Sequence, residues 1–121
     1  MNRKIRLDDG FEKIDELFTP KIVAEVNGQH VKLARLEGDR VPWHTHDVED
    51  ELFYVLDGAL DILTRQETIR LDAGEMVVVP RGVEHRVVPV GHVKLLLLES
   101  VGIRHTGDTH CDITVEEYEW L

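Results

Sequence analysis

The sequence contains a single cysteine, Cys111, in 121 residues. That excludes an internal disulfide framework and a zinc cluster built on cysteines, and its place beside His110 reads as incidental. Positive charge is also scarce: 14 Lys and Arg stand against 24 Asp and Glu, for a formal net charge of −10. Phosphate backbones need clustered cations, so nucleic acid is excluded as a partner, and an anionic membrane surface is disfavoured on the same ground. Long apolar runs are missing too. The longest, Leu95-Leu96-Leu97-Leu98, falls far short of the roughly 20 residues that span a bilayer and fits a buried strand. After Met1-Asn2-Arg3-Lys4 the chain turns acidic, with no apolar stretch of the kind a secretory signal requires, so a cytoplasmic protein is expected. Aromatic residues make up only 6%, and with no arginine cluster beside them they point to no substrate.

What remains is an ordinary globular composition, 42% hydrophobic and 31% charged, in a chain long enough for one core and too short for two. Asp8 to Phe18 reads as a short helix, because Phe11, Ile14, Leu17 and Phe18 fall at spacings of three and four. Asp8 or Asp9 would cap it and Pro20 would end it. Thereafter the pattern is short β-rich runs. The expected strands are Ile22 to Val26, Val31 to Leu36, Leu52 to Leu56, Ala59 to Thr64, Met76 to Val79, His85 to Val88 and Val93 to Glu99. Turn signals separate them, among them Asn27-Gly28, Asp57-Gly58, Pro80-Arg81-Gly82 and Pro89-Val90-Gly91. Many short strands at close spacing predict an all-β sandwich or barrel. In the tail, Thr114-Val115-Glu116-Glu117 has the form of a capping box for one more helical turn, with a strand as the alternative.

One constellation carries chemistry. His44-Thr45-His46 puts two imidazoles two residues apart, and alternate side chains of a strand share a face. Glu51 opens the next strand and heads an inward row with Phe53 and Val55. His85 heads a row with Val87, directly after the Pro80 to Gly82 turn. Three imidazoles and one carboxylate suit Zn, Fe, Ni, Mn or Cu and leave positions open for water or a substrate. Taken alone, His44 and His46 read equally as metal ligands and as surface or hydrogen-bonded core residues, and Asp47-Glu49-Asp50-Glu51 as a solvated loop.

The spacing matches a known pattern. Gly38, five residues, His44-Thr45-His46, four residues, Glu51, six residues and Gly58 resemble the first motif of the cupin family. Gly74, five residues, Pro80-Arg81-Gly82, two residues and His85 resemble the second. The segment between them, 59–73, is short, as in single-domain bacterial cupins. Small cupins carrying Trp-His-x-His followed by Asp-Glu-Leu-Phe match more finely, here Trp43 to His46 and Asp50 to Phe53. A Thr-Gly-Asp segment after the last strand is matched by Thr106-Gly107-Asp108. Such proteins are often labelled mannose-6-phosphate isomerase-like, a label resting on fold. One position departs: Pro89 stands where the second motif ends in asparagine, which puts the following turn in doubt and leaves the ligands untouched.

The resemblance implies a double-stranded β-helix, the cupin jelly-roll barrel, as one domain over 1–121. A helical segment would occupy 1–20, the barrel 21–101, and a helical or extended tail 102–121. It also implies His44, His46, Glu51 and His85 as ligands of one divalent transition metal (Zn, Fe, Ni or Mn), with Glu51 rather than Glu49 or Asp50 as the acid. Cupin ligands sit inside the barrel, where Trp43 would either cover the rim or simply pack. Arg35 and His30 are within reach of a substrate's acid group, although exposure is the default for both. Tyr54 should face away. His92, His105 and His110 default to solvent, with a second metal site from His105 and His110 as the weaker reading. No catalytic acid or base is identifiable. The expected function is action on a small molecule at an open metal site, by isomerisation, epimerisation or oxygen-dependent cleavage. The alternatives are a non-catalytic binding or sensing module and a structural metal. Both parities of Leu52 to Leu56 and Leu95 to Leu98 are apolar, so the other sheet, the N-terminal helix or a partner chain should cover them; the resemblance implies a homodimer.

Overall fold

The computed structural model describes residues 4–102, 104 and 106–121. One helix, α1 (Leu7–Glu12), precedes the strands β1 (Lys21–Val26), β2 (Gln29–Leu36), β3 (Glu51–Thr64), β4 (Thr68–Asp72), β5 (Met76–Val79) and β6 (His85–Ser100). They pair antiparallel in the order β1-β2-β6-β3-β4, with β5 on β3. This is the all-β jelly-roll architecture expected from the sequence. No helix among the described residues is long and apolar enough to cross a membrane.

The barrel is organised by β3 and β6, which pair along most of their length, from Leu52↔Leu98 to Thr64↔His85. Their inward rows hold Phe53, Val55, Leu60 and Ile62 on β3 and Val87, Val93, Leu95 and Leu97 on β6, all at most 5% exposed. Each fully buried aliphatic side chain of this kind contributes about 1.5–3 kcal/mol of transfer free energy.

Four expectations are corrected. The runs Leu52 to Leu56 and Ala59 to Thr64 are one strand, and so are His85 to Val88 and Val93 to Glu99. The turn signals at Asp57-Gly58 and Pro89-Val90-Gly91 lie at irregularities of the β3–β6 register instead. Gly58, at φ 82, sits where a Cβ would come within 2.2 Å of the His92 carbonyl oxygen, so the glycine serves a bulge and a close backbone approach. Pro89 is paired with Leu60 on a stretch of β6 whose only strand partner is β3, so its missing N–H breaks no ladder on the other side.

Second, β4 was not anticipated, although Thr68-Ile69-Arg70-Leu71-Asp72 alternates strictly, with Leu71 buried and Arg70 exposed against Asp61. Third, α1 stops at Glu12 instead of running to Phe18. Its carbonyls explain why: the Arg35 guanidinium takes Phe11 O at 2.7 Å and Ile14 O at 3.0 Å, acceptors that a continued helix would have used itself. Phe18 then turns into the left-handed region at φ 56 and donates its N–H to Arg35 O at 2.9 Å. The same bonds overturn the exposed placement of Arg35. Fourth, the tail forms no helix. Thr114 Oγ1 accepts from Cys111 N instead, and Trp120 pairs with Ile22.

Candidate metal centre

His44, His46 and His85 reach the barrel interior from two segments that are fastened together. His44 and His85 exchange backbone hydrogen bonds, N to O at 2.9 Å in each direction, so two of the imidazoles start from a rigid pair. The Pro80–Gly82 turn is tied to the ligand loop by Gly82 N to His46 O and by Arg81 N to Asp50 Oδ1, both 2.9 Å. Glu51 begins β3 opposite Val79 of β5, with its side chain 2% exposed. All four residues are buried, and one ligand atom from each lies within 4.8 Å of the others. Ligands about 2.1 Å from a shared ion stand up to about 4.2 Å apart, so the spread is of the right order.

The imidazoles are oriented for this task. Nδ1 of His44 donates to Pro42 O at 2.9 Å, and Nδ1 of His85 donates to Val83 O at 2.9 Å. Nδ1 of His46 meets the Glu49 carboxylate at 2.8 Å. A carbonyl or carboxylate only accepts, so each Nδ1 carries the hydrogen and each Nε2 keeps its lone pair. Among the described residues, Nε2 of His44 and of His46 are buried with no hydrogen-bond partner, a costly arrangement unless something binds them. Nε2 of His85 lies 3.3 Å from Glu51 Oε1, a long contact, and Nε2 of His46 lies 3.4 Å from the same oxygen. These donors fit a divalent transition metal, with two orphaned nitrogens and a carboxylate aimed at one volume.

Electrostatics agree. Burial lowers the His44 pKa to about 4, so it stays neutral, as a ligand must. Burial acts to lower His46 as well, but Glu51 and Glu49 outweigh it and raise the value above its usual position. Glu51 is held well below the ordinary carboxylate range despite complete burial, through the polar groups of Glu99, His46 and His85 that face its carboxylate. Glu99 is pushed well above that range by burial and by the Glu51 charge. Two touching carboxylates cannot both ionise. Glu99 is therefore the neutral member of the pair, and its Oε1 accepts from Lys32 Nζ at 3.4 Å.

Several residues around the centre escaped the sequence reading. Glu49, set aside as a ligand, is instead the partner of a ligand. Lys32 and Glu99 are hydrogen-bonded with both side chains fully buried, and the signal for Glu99 was its parity with inward Leu95 and Leu97. Gly107 and Asp108 fasten the ligand strand from the C-terminal side. Asp108 N donates to Thr45 O at 3.0 Å, and Thr45 N donates to Asp108 Oδ1 at 2.9 Å.

Other candidates lie elsewhere. Trp43 is half-buried, with the Arg65 guanidinium 3.7 Å from its ring. His30 is buried, with Nε2 3.1 Å from Glu25, which corrects its expected exposure. Tyr54 faces away, as expected from its parity. His92 is half-buried on β6 rather than free in solvent, and His110 is exposed beside Glu116. His105, and with it the second metal site, lies outside the described residues.

Comparison with known proteins agrees with this geometry. The Cupin domain family matches residues 31–101. A cupin-2 domain containing protein from Shewanella frigidimarina superposes with a TM-score of 0.77 at 38% identity, covering 79% of this chain and 93% of that one. The tetracenomycin polyketide synthase protein TcmJ of Streptomyces glaucescens is 34% identical over 79 residues, 64% of this chain and 52% of that protein. Protein YdbB of Bacillus subtilis is 42% identical over 65 residues, 53% of this chain and 57% of that protein. The match thus spans little more than half the length of either curated relative. With both motifs, the barrel and the His-His-Glu-His cluster in place, the chain belongs to the cupin family.

Proposed function

We propose that the protein is a metal-dependent enzyme acting on a small organic molecule. Nε2 of His44, His46 and His85 and the carboxylate of Glu51 would hold one divalent transition metal. The observation that carries this reading is the pair of buried, partnerless Nε2 atoms on His44 and His46, whose Nδ1 positions are both occupied. Four protein ligands leave room in a five- or six-coordinate shell, which argues against a purely structural ion. When bound, such a metal supplies Lewis-acid or redox chemistry, so isomerisation, epimerisation and oxygen-dependent cleavage are the reaction types in reach. The protein's own contribution is to orient the imidazoles through Pro42, Val83 and Glu49, and to keep water out of an apolar barrel. One relative is named for polyketide synthesis, which agrees with an organic substrate. The single cysteine and acidic composition support a cytoplasmic setting.

Elemental analysis of untagged protein grown with added metals tests the reading. Near-stoichiometric metal is expected, lost from His46→Ala and His85→Ala while the barrel stays folded. Trace metal in the wild type, or full retention in either variant, would overturn the ligand set. The second reading is a binding or sensing module. It is favoured by one observation: among the described residues, the cavity beside His44 and Glu51 is lined by no acid or base other than those two ligands. Redox-inert zinc with no turnover of any offered substrate would decide for it.

We also propose a homodimer. Val78, Leu52, Leu98 and Val31 stand in register across β5, β3, β6 and β2, with Met76, Tyr54 and Leu96 in the next row. These outward rows carry no charge, so two chains of net charge −10 would meet there without opposing carboxylates.

A further inference from the structure

Beside His44 and Glu51 the barrel interior leaves a cavity of about 30 Å³, close to one water molecule's share of the liquid. Every residue lining it is buried, and His44 and Glu51 are the only polar ones among them; Ala34, Phe53, Leu95 and Leu97 are typical of the rest. Among the described residues, no lysine, arginine, hydroxyl or amide side chain lines this space. A phosphate group there would be desolvated without a cation to hold it. A polyhydroxylated sugar would bury hydroxyls that find no partner. A hydrocarbon tail meets neither penalty and gains about fourfold in affinity for each methylene it buries.

Phe18 closes one wall of this space. Its backbone sits at φ 56, a conformation few bulky residues adopt, and its side chain is 1% exposed. Strain of that kind persists only where the surroundings over-determine it, and here they do. Phe18 N–H is held by Arg35 O, the Arg35 guanidinium grips the end of α1, and the Arg40 guanidinium lies 5.3 Å from the ring. Ala34 and Val41 line the same space. Phe18, the bulkiest side chain with Phe53, and Ala34, the smallest, are the lining positions where a substitution changes the room beside the metal ligands most.

Resting on the metal reading above, we propose that the site takes small, apolar-bodied molecules with a single oxygen-donor head. The head would face the metal and a methyl- or ethyl-sized tail would enter the cavity, with Phe18 as the residue that limits tail length. Phosphorylated and polyhydroxylated substrates are excluded, which sets this chain apart from the sugar-phosphate chemistry implied by the isomerase-like label.

The test uses cobalt(II)-loaded protein and follows the visible cobalt absorption as probes are added: acetohydroxamate, hexanohydroxamate, inorganic phosphate and glucose 6-phosphate. Acetohydroxamate is expected to shift the spectrum at concentrations where both phosphates leave it unchanged, with hexanohydroxamate gaining nothing from its longer tail. Phe18→Ala should reverse the chain-length order, strengthening hexanohydroxamate more than tenfold if two or more methylenes are accommodated. Ala34→Val adds bulk to the lining and should weaken acetohydroxamate with cobalt content unchanged; it carries the test if Phe18→Ala does not fold. Phosphate or glucose 6-phosphate binding as tightly as acetohydroxamate would overturn the proposal. So would a chain-length order that no variant alters, the mark of a packing void that holds only water. Failure of the wild type to take up cobalt would overturn the metal reading itself, and this proposal with it.

Discussion

Gly107 touches the metal centre without supplying a ligand. A Cβ built on it would lie 2.4 Å from Thr45 O and 2.9 Å from Cδ2 of the His44 ring, both closer than real Cβ contacts come. Its φ of 59 adds the left-handed penalty, roughly 1–2 kcal/mol for a residue with a side chain. Overpacking against a fixed backbone adds about 1–3 kcal/mol. Thr45 is pinned on both its N–H and its carbonyl by Asp108, so strain in Gly107→Ala has to pass into the His44–Thr45–His46 segment. Gly28→Ala is the matched control, because Gly28 has φ 74 and nothing within 4 Å; it pays the backbone penalty and no contact.

Thermal unfolding of the metal-free proteins should therefore cost Gly28→Ala about 1–2 kcal/mol and Gly107→Ala about 2–5 kcal/mol. Competition with a chelator should show metal affinity unchanged in Gly28→Ala and reduced roughly 10- to 100-fold in Gly107→Ala, the range found when the support of a ligand is disturbed. Wild-type affinity in Gly107→Ala, or equal losses in the two variants, would refute the idea that the Thr106–Asp108 strap positions His44.

Glu49→Leu removes the acceptor of His46 Nδ1 and should weaken metal binding roughly 10- to 100-fold. Glu49→Gln keeps an oxygen there and should fall between, and titration of all three proteins with zinc checks the order. In metal-free protein, His44 has a folded pKa of about 4 against an unfolded value of 6.5. Unfolding then takes up a proton below the unfolded value, and stability falls as pH drops. The loss between about pH 7.5 and 5 is about 2 kcal/mol. That is the His44 share: His46, shifted upward, opposes it above about 6.5, and Glu99, held protonated by burial and the Glu51 charge, opposes it across the range. Urea unfolding of the wild type and of His44→Gln across that range isolates the share as the difference between the two slopes, and identical slopes would contradict a neutral, buried His44. Sedimentation at micromolar concentration should give a dimer, and Leu98→Glu, on the outer row, should give a monomer with its metal content intact. A monomeric wild type would remove the dimer proposal.

The fold was legible where hydrophobic parity alone decides. Inward Phe53 and Val55, or Leu95 and Leu97, alternate as the barrel requires, and the strand positions followed from them. It was misread where one residue type serves two geometries. Gly58 and Gly91 carry positive φ in the middle of long strands, and glycine marks a bulge as readily as a turn. The helix was overextended for a different reason. Ile14, Leu17 and Phe18 keep helical spacing, yet the competing acceptor for the chain is Arg35 O on β2, a partner 17 positions after Phe18 that local periodicity cannot register.

At the site, the division between what could and could not be read follows the range of the forces. A metal constrains residue types at fixed offsets on neighbouring strands, so His44, His46, Glu51 and His85 stand out in one dimension. Their supports do not. Glu99 reaches Glu51 only because β6 lies against β3 in the observed register, and Asp108 reaches Thr45 from 63 residues away. The cavity is further removed still, since its chemistry is the sum of walls drawn from β2, β3, β6 and the loop after α1. No motif encodes the absence of a cation among them, and on the proposed reading that absence separates an apolar substrate from a sugar phosphate at the same four ligands. On that reading the ligand pattern sets where chemistry happens, and the apolar walls, Phe18 above all, set which molecules reach it.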